Sequence, residues 1–81
     1  MAKYDALREH LRTRSDPAVR LSLGEVAGLV PGGLPASAYK HPAWWSNDGH
    51  ASHVQARAWL DAGWMASPDL QARTVTFLRS T

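Results

Sequence analysis

His41-Pro42-Ala43-Trp44-Trp45-Ser46-Asn47-Asp48-Gly49-His50-Ala51-Ser52-His53-Val54-Gln55-Ala56-Arg57-Ala58-Trp59-Leu60-Asp61-Ala62-Gly63-Trp64 holds all four tryptophans of the chain and three of its four histidines. Indole rings dominate burial and their N–H groups need partners, so core and recognition surface should meet here. Ser52-His53-Val54-Gln55 spells a capping box, which predicts a helix from Ser52 to about Ala62. Gly63 supplies its exit. On that helix Val54, Ala58, Trp59 and Ala62 are expected to face the core, leaving Gln55, Arg57 and Asp61 outward. Upstream, Trp44 and Trp45 are neighbours on a segment read as extended, so their rings should point to opposite sides. One is expected to be buried and the other partly exposed, and the sequence does not say which.

Working outward, Tyr4, Leu7 and Leu11 recur at helical spacing and predict an amphipathic first helix over about Lys3 to Arg12. Val19-Arg20-Leu21-Ser22-Leu23 alternates as a half-buried strand does. Ser22-Leu23-Gly24-Glu25 is a second capping box, opening a helix that turns Val26, Leu29 and Val30 inward. Pro31-Gly32-Gly33 stops it, and residues 34–39 form a turn or a single helical turn. After the tryptophan segment, Trp64 to about Asp69 and Arg73 to Arg79 predict two strands, with a turn near Leu70-Gln71-Ala72. The order is helix, strand, helix, helix, strand, strand, in one domain over residues 1–81. It resembles the winged helix-turn-helix domains, in which the first strand pairs with the C-terminal hairpin. The expected fold is therefore an α+β, winged-helix-like domain with a small three-stranded antiparallel sheet. The connection from about Pro31 to Ala51 departs from that pattern, because it far exceeds the roughly 3–4-residue turn of a simple helix-turn-helix.

With 44% hydrophobic residues in 81, the chain has enough apolar material for one core and no more. It has no cysteine, which excludes disulfides and thiolate zinc sites and fits a reducing cytoplasm. Nothing resembles a signal peptide or the roughly 20 apolar residues of a membrane span. Nine Lys+Arg against seven Asp+Glu give a net charge of +2, and seven of the nine cations are arginine. A small positive balance permits an anionic partner without requiring one, and the arginine bias suits phosphate or guanine.

Gln55 and Arg57, at the start of the predicted helix, can pair two-pronged with adenine and guanine edges in a major groove. An ordinary solvated helix face accounts for the same two residues equally well. Ser46, Asn47, Asp48, His50, Ser52 and His53 crowd the beginning of that helix, where free N–H groups favour a phosphate. Turn chemistry around Gly49 is the competing role for Asn47 and Asp48. His41, His50 and His53 lack the spacing of a metal site, and no catalytic set can be assigned, so neither a cofactor nor an enzyme is expected. The Trp44–Trp45 pair offers either a stacking platform for bases or a core plug. Arg8, Arg12, Arg14 and Arg20 gather in the N-terminal third and read as a solvated face, whereas Arg73 falls near the wing, within reach of a phosphate.

Across nearly its whole length the chain resembles a small bacterial domain family without an assigned activity. The likeness rests on Lys3-Tyr4, Leu7, Glu25-Val26, Leu34-Pro35-Ala36-Ser37-Ala38, Trp44-Trp45-Ser46-Asn47-Asp48, the run from Gln55 to Trp64, and Val75-Thr76-Phe77. It implies a compact domain that stands alone or is appended to larger proteins, as binding modules are. The expectation is a cytoplasmic, nucleoid-associated domain that binds double-stranded DNA in transcription regulation, through Lys40, Asn47, His50, Ser52, Gln55, Arg57 and Arg73. The alternative is a protein-interaction module, a homodimer or accessory subunit, anchored by an exposed tryptophan. A small metal-dependent nuclease or an RNA binder is a third, weaker reading.

Overall fold

The computed structural model describes residues 3–47 and 55–79. Helix α1 (Asp5–Arg12) buries Leu7 and Leu11 and places Asp5 in its first turn, His10 and Arg12 in its last, as the helix dipole favours. It ends where the Thr13 hydroxyl donates to the His10 carbonyl. Strand β1 (Ala18–Ser22) turns Val19 and Leu21 inward and runs directly into α2 (Leu23–Gly28). The reciprocal capping bonds at that junction are present. The Glu25 N–H donates to the Ser22 hydroxyl over 3.0 Å, and the Ser22 N–H donates to the Glu25 carboxylate over 2.8 Å. Gly32 and Gly33 then take φ of 80° and 79°, a backbone that residues with a Cβ rarely adopt, and the chain doubles back.

Helix α3 (Ala36–Lys40) is a single turn, and a 3₁₀ turn follows at Pro42–Trp45. This corrects the extended geometry expected for Trp44 and Trp45: Pro42 at the first position of the turn holds a helical φ. The tighter turn still separates the two rings, burying Trp45 and leaving Trp44 partly exposed. Helix α4 (Ala56–Leu60) stops two residues short of the expected Ala62, and a turn follows to Gly63, which has φ 88° and whose N–H donates to the Leu60 carbonyl at 3.0 Å. The capping box expected at Ser52 lies outside the described residues.

Strands β2 (Trp64–Asp69) and β3 (Thr74–Arg79) form a hairpin, and β1 pairs antiparallel with β3, giving an open sheet of order β1-β3-β2. Strand β3 starts one residue later than its alternation suggests, because Arg73 has φ 58° and belongs to the turn. One face of the sheet, carrying Val19, Leu21, Val75, Phe77, Trp64 and Ala66, belongs to the core with the helices. Trp45 and Trp59 stack there at 5.7 Å and Phe77 lies 5.9 Å from Trp59. Each buried indole N–H is satisfied: Trp45 donates to the Ala38 carbonyl, Trp59 to the Asn47 amide oxygen, and Trp64 to the Leu11 carbonyl at the end of α1.

Candidate functional site

The expected recognition surface is built on the short stretch of backbone around Asn47 and on α4. Strand β2 is an edge, so the backbone groups of Ala66 that face away from β3 need partners. Asn47 supplies them. Its amide oxygen accepts from the Ala66 N–H at 2.7 Å and its amide nitrogen donates to the Ala66 carbonyl at 3.0 Å. The same oxygen accepts from the Trp59 indole at 3.0 Å, so both of its lone pairs are used. Asn47, expected to contact DNA, is exposed, but its amide is engaged as a strut between the edge strand and the core.

Gln55 is the clearest correction. It was expected outward, reading bases, but it is only 7% exposed and its amide nitrogen donates to the Trp44 carbonyl at 2.9 Å. The signal was present in the sequence. Positions 55, 58, 59 and 62 form an i, i+3, i+4, i+7 stripe, so the period that sends Ala58 and Trp59 inward sends Gln55 with them. A polar residue on an apolar stripe is buried against a carbonyl when one is offered, as the Trp44 backbone does here.

The cations expected at the surface are there. Lys40 is exposed at the end of α3, Arg57 is exposed on α4, and Arg73 is exposed in the β2–β3 turn. Arg73 is held by its backbone, whose N–H donates to the Leu70 carbonyl and whose carbonyl accepts from the Leu23 N–H at 2.9 Å. Arg57 lies 3.7 Å from Asp61 across one helical turn, both side chains being largely in solvent. A pair so exposed is screened and loosely held, which leaves the guanidinium available to a stronger anion. His50 and Ser52 lie outside the described residues, as do Asp48 and His53.

Three N-terminal arginines have acidic neighbours: Arg8 with Asp5 at 3.3 Å, Arg12 with Glu9 at 3.1 Å and Arg14 with Asp16 at 4.0 Å. Arg79 spreads its guanidinium over the Trp64 ring, 4.7 Å from its centre, and donates to the Arg14 carbonyl. The exposed pairs of Arg12 and Arg14 are what a solvated, self-neutralising face shows, whereas Arg8 is half-buried. Trp44 presents part of its ring at the surface, held edge-on by Tyr4 at 6.2 Å and by Trp45 at 4.7 Å. Partial burial also pushes the Tyr4 hydroxyl above its ordinary pKa. Among the described residues, no group of three or more His, Asp or Glu side chains gathers as metal ligands would.

Residues 4–81 match the family model described as Domain of unknown function (DUF7662), and the chain belongs to that family. No curated protein and no solved structure matches it.

Proposed function

We propose that this DUF7662 domain binds double-stranded DNA through phosphate contacts from Lys40, Arg57 and Arg73, with little reading of bases. The observation that carries the proposal is the division of labour among the expected site residues. The two carboxamides able to read base edges, Asn47 and Gln55, are committed to Ala66, Trp59 and Trp44, whereas the three cations stand free of the core. Contacts made by cations alone position a protein on a duplex without specifying sequence. The pairing of β1 with a C-terminal hairpin supports the winged-helix likeness, in which α4 would be the helix set against DNA and Arg73 would lie in the wing. Such a protein would work at the nucleoid, in the cytoplasm, as an architectural or regulatory factor. No described helix is long and apolar enough to cross a membrane.

A mobility-shift titration with random duplex at several salt concentrations tests this. Binding should weaken steeply with salt, the slope falling by roughly one for each of Lys40, Arg57 and Arg73 replaced by alanine. Absence of a shift at low salt removes the proposal. A second reading, a protein-interaction module, is favoured by Trp44, whose partly exposed ring is already held in place and would lose little freedom on docking. Under that reading no duplex shift appears at low salt, and Trp44→Ala abolishes association with the protein partner.

A further inference from the structure

The helices contribute to the core on one face of the sheet, and no described helix packs on the other. Its outward residues fall into three rows across the strands: Ala18–Leu78–Met65, Arg20–Thr76–Ser67 and Ser22–Thr74–Asp69. The first row contains two of the three large hydrophobic side chains exposed among the described residues, Met65 at 44% and Leu78 at 47%. They are directly opposite each other on β2 and β3, so they form one apolar ridge, not two scattered residues.

We propose that this face docks a second copy of the chain. The argument is self-complementarity. A twofold axis running along β3, midway between two stacked sheets, lays β1 of one copy over β2 of the other. The apolar row then meets itself, Leu78 on Leu78 with Met65 over Ala18. Arg20 comes to lie over Ser67 of the other copy, with Asp69 the next residue on the same face of that strand. One Asp69 carboxylate oxygen accepts from the Ala72 N–H at 3.1 Å, which leaves the second to meet Arg20. Sheets stack about 10 Å apart, which an arginine and an aspartate together can bridge. Two such ion pairs form, one on each side of the axis. A twofold axis across the strands at the Thr76 row would instead set Leu78 against Thr74. One at the Leu78 row would join the apolar row only by sliding most of the two faces out of contact, so the first arrangement alone joins that row with full overlap.

Three strands about 4.8 Å apart and six residues about 3.3 Å each give a face of roughly 14 by 20 Å. That is small beside the roughly 800 Å² that each partner buries in a standard interface, which places the dimer in the weak, transient class.

Sedimentation equilibrium of the intact chain without DNA, over protein concentrations from roughly micromolar to millimolar, reads the association directly. The wild type should rise from monomer to dimer mass. Leu78→Glu and, independently, Met65→Glu should stay monomeric with an unchanged circular dichroism spectrum, since both side chains are exposed in the monomer. Arg20→Asp should weaken association about tenfold at low salt, and that loss should shrink as salt screens the pair. A wild type that remains monomeric throughout overturns the proposal and leaves the ridge to a different protein. A dimer indifferent to Leu78→Glu and Met65→Glu overturns it too, and a dimer indifferent to Arg20→Asp at low salt overturns the axis. Because no nucleic acid is present, these outcomes are independent of the DNA titration.

Discussion

Asn47 and Ala66 exchange two hydrogen bonds, of 2.7 and 3.0 Å, as two residues on neighbouring strands would. The side-chain amide stands in for a peptide group, and one residue closes part of the free edge of β2. Asn47→Ala opens that edge and also strands the Trp59 indole N–H in the core. Leaving a buried donor unpaired while losing two further bonds should cost about 2–4 kcal/mol. Against the roughly 5–15 kcal/mol that holds a small domain together, that is a large fraction. Urea denaturation measures it, and a loss below about 0.5 kcal/mol would show that the strut is dispensable. Asn47→Asp retains the acceptor but sets a carboxylate oxygen against the Ala66 carbonyl, so it should also destabilise.

Gln55 offers a sharper discrimination between structural and recognition roles. Gln55→Ala removes the bond to the Trp44 carbonyl and leaves a small void beside buried Ala58 and Trp59. It should lower the unfolding free energy by about 1–3 kcal/mol. In duplex-binding assays the folded fraction should keep wild-type affinity and show no altered base preference. A change in preferred sequence with unchanged stability would return Gln55 to the DNA surface.

Glu25 gives the acid dependence. Its carboxyl is held below its ordinary pKa of 4.5, first by the Ser22 backbone N–H and then by the Ser22 hydroxyl. A carboxylate whose folded pKa is depressed contributes stability that is present above the unfolded value. That contribution is lost as pH falls from there through the folded value. Wild-type stability should therefore decline below about pH 4.5 more steeply than that of Glu25→Gln, whose amide still accepts the backbone bond but does not titrate. Parallel chemical denaturation from neutral to acid pH compares them, and superimposable slopes would rule the contribution out.

Local chemistry announces itself in this chain, and distant partnership does not. The capping box at Ser22 and Glu25, the apolar spacing of Leu7 and Leu11, and the alternation Val75–Phe77 each depend on residues a few positions apart, and all three sit where that spacing puts them. That one of Trp44 and Trp45 would be buried and the other partly exposed was also legible, but not which, and a 3₁₀ turn produces the split where an extended segment was expected. The role of Asn47 was not legible, because its partner Ala66 lies 19 residues on and the bond requires β2 to be an edge. Gln55 falls between these cases. Its stripe was visible, but Gln at a helix start suggests surface chemistry, and the carbonyl that receives it comes from a turn with no periodic signature.

Arg57 and Asp61 separate duplex binding from stability most cleanly. Their contact of 3.7 Å spans one turn of α4 in solvent and is worth about 0–1 kcal/mol, so neither Arg57→Ala nor Asp61→Asn should shift the denaturation midpoint appreciably. On DNA the two changes should act in opposite directions. Arg57→Ala removes a cation and weakens binding, whereas Asp61→Asn both frees the guanidinium and removes a negative charge that repels phosphate. At low salt the second change should tighten binding severalfold, and the gain should shrink as salt screens the interaction. Fluorescence anisotropy on a labelled random duplex reads both. If Asp61→Asn leaves affinity untouched at low salt, then α4 does not face the duplex, and the phosphate contacts must be sought on another surface of the domain.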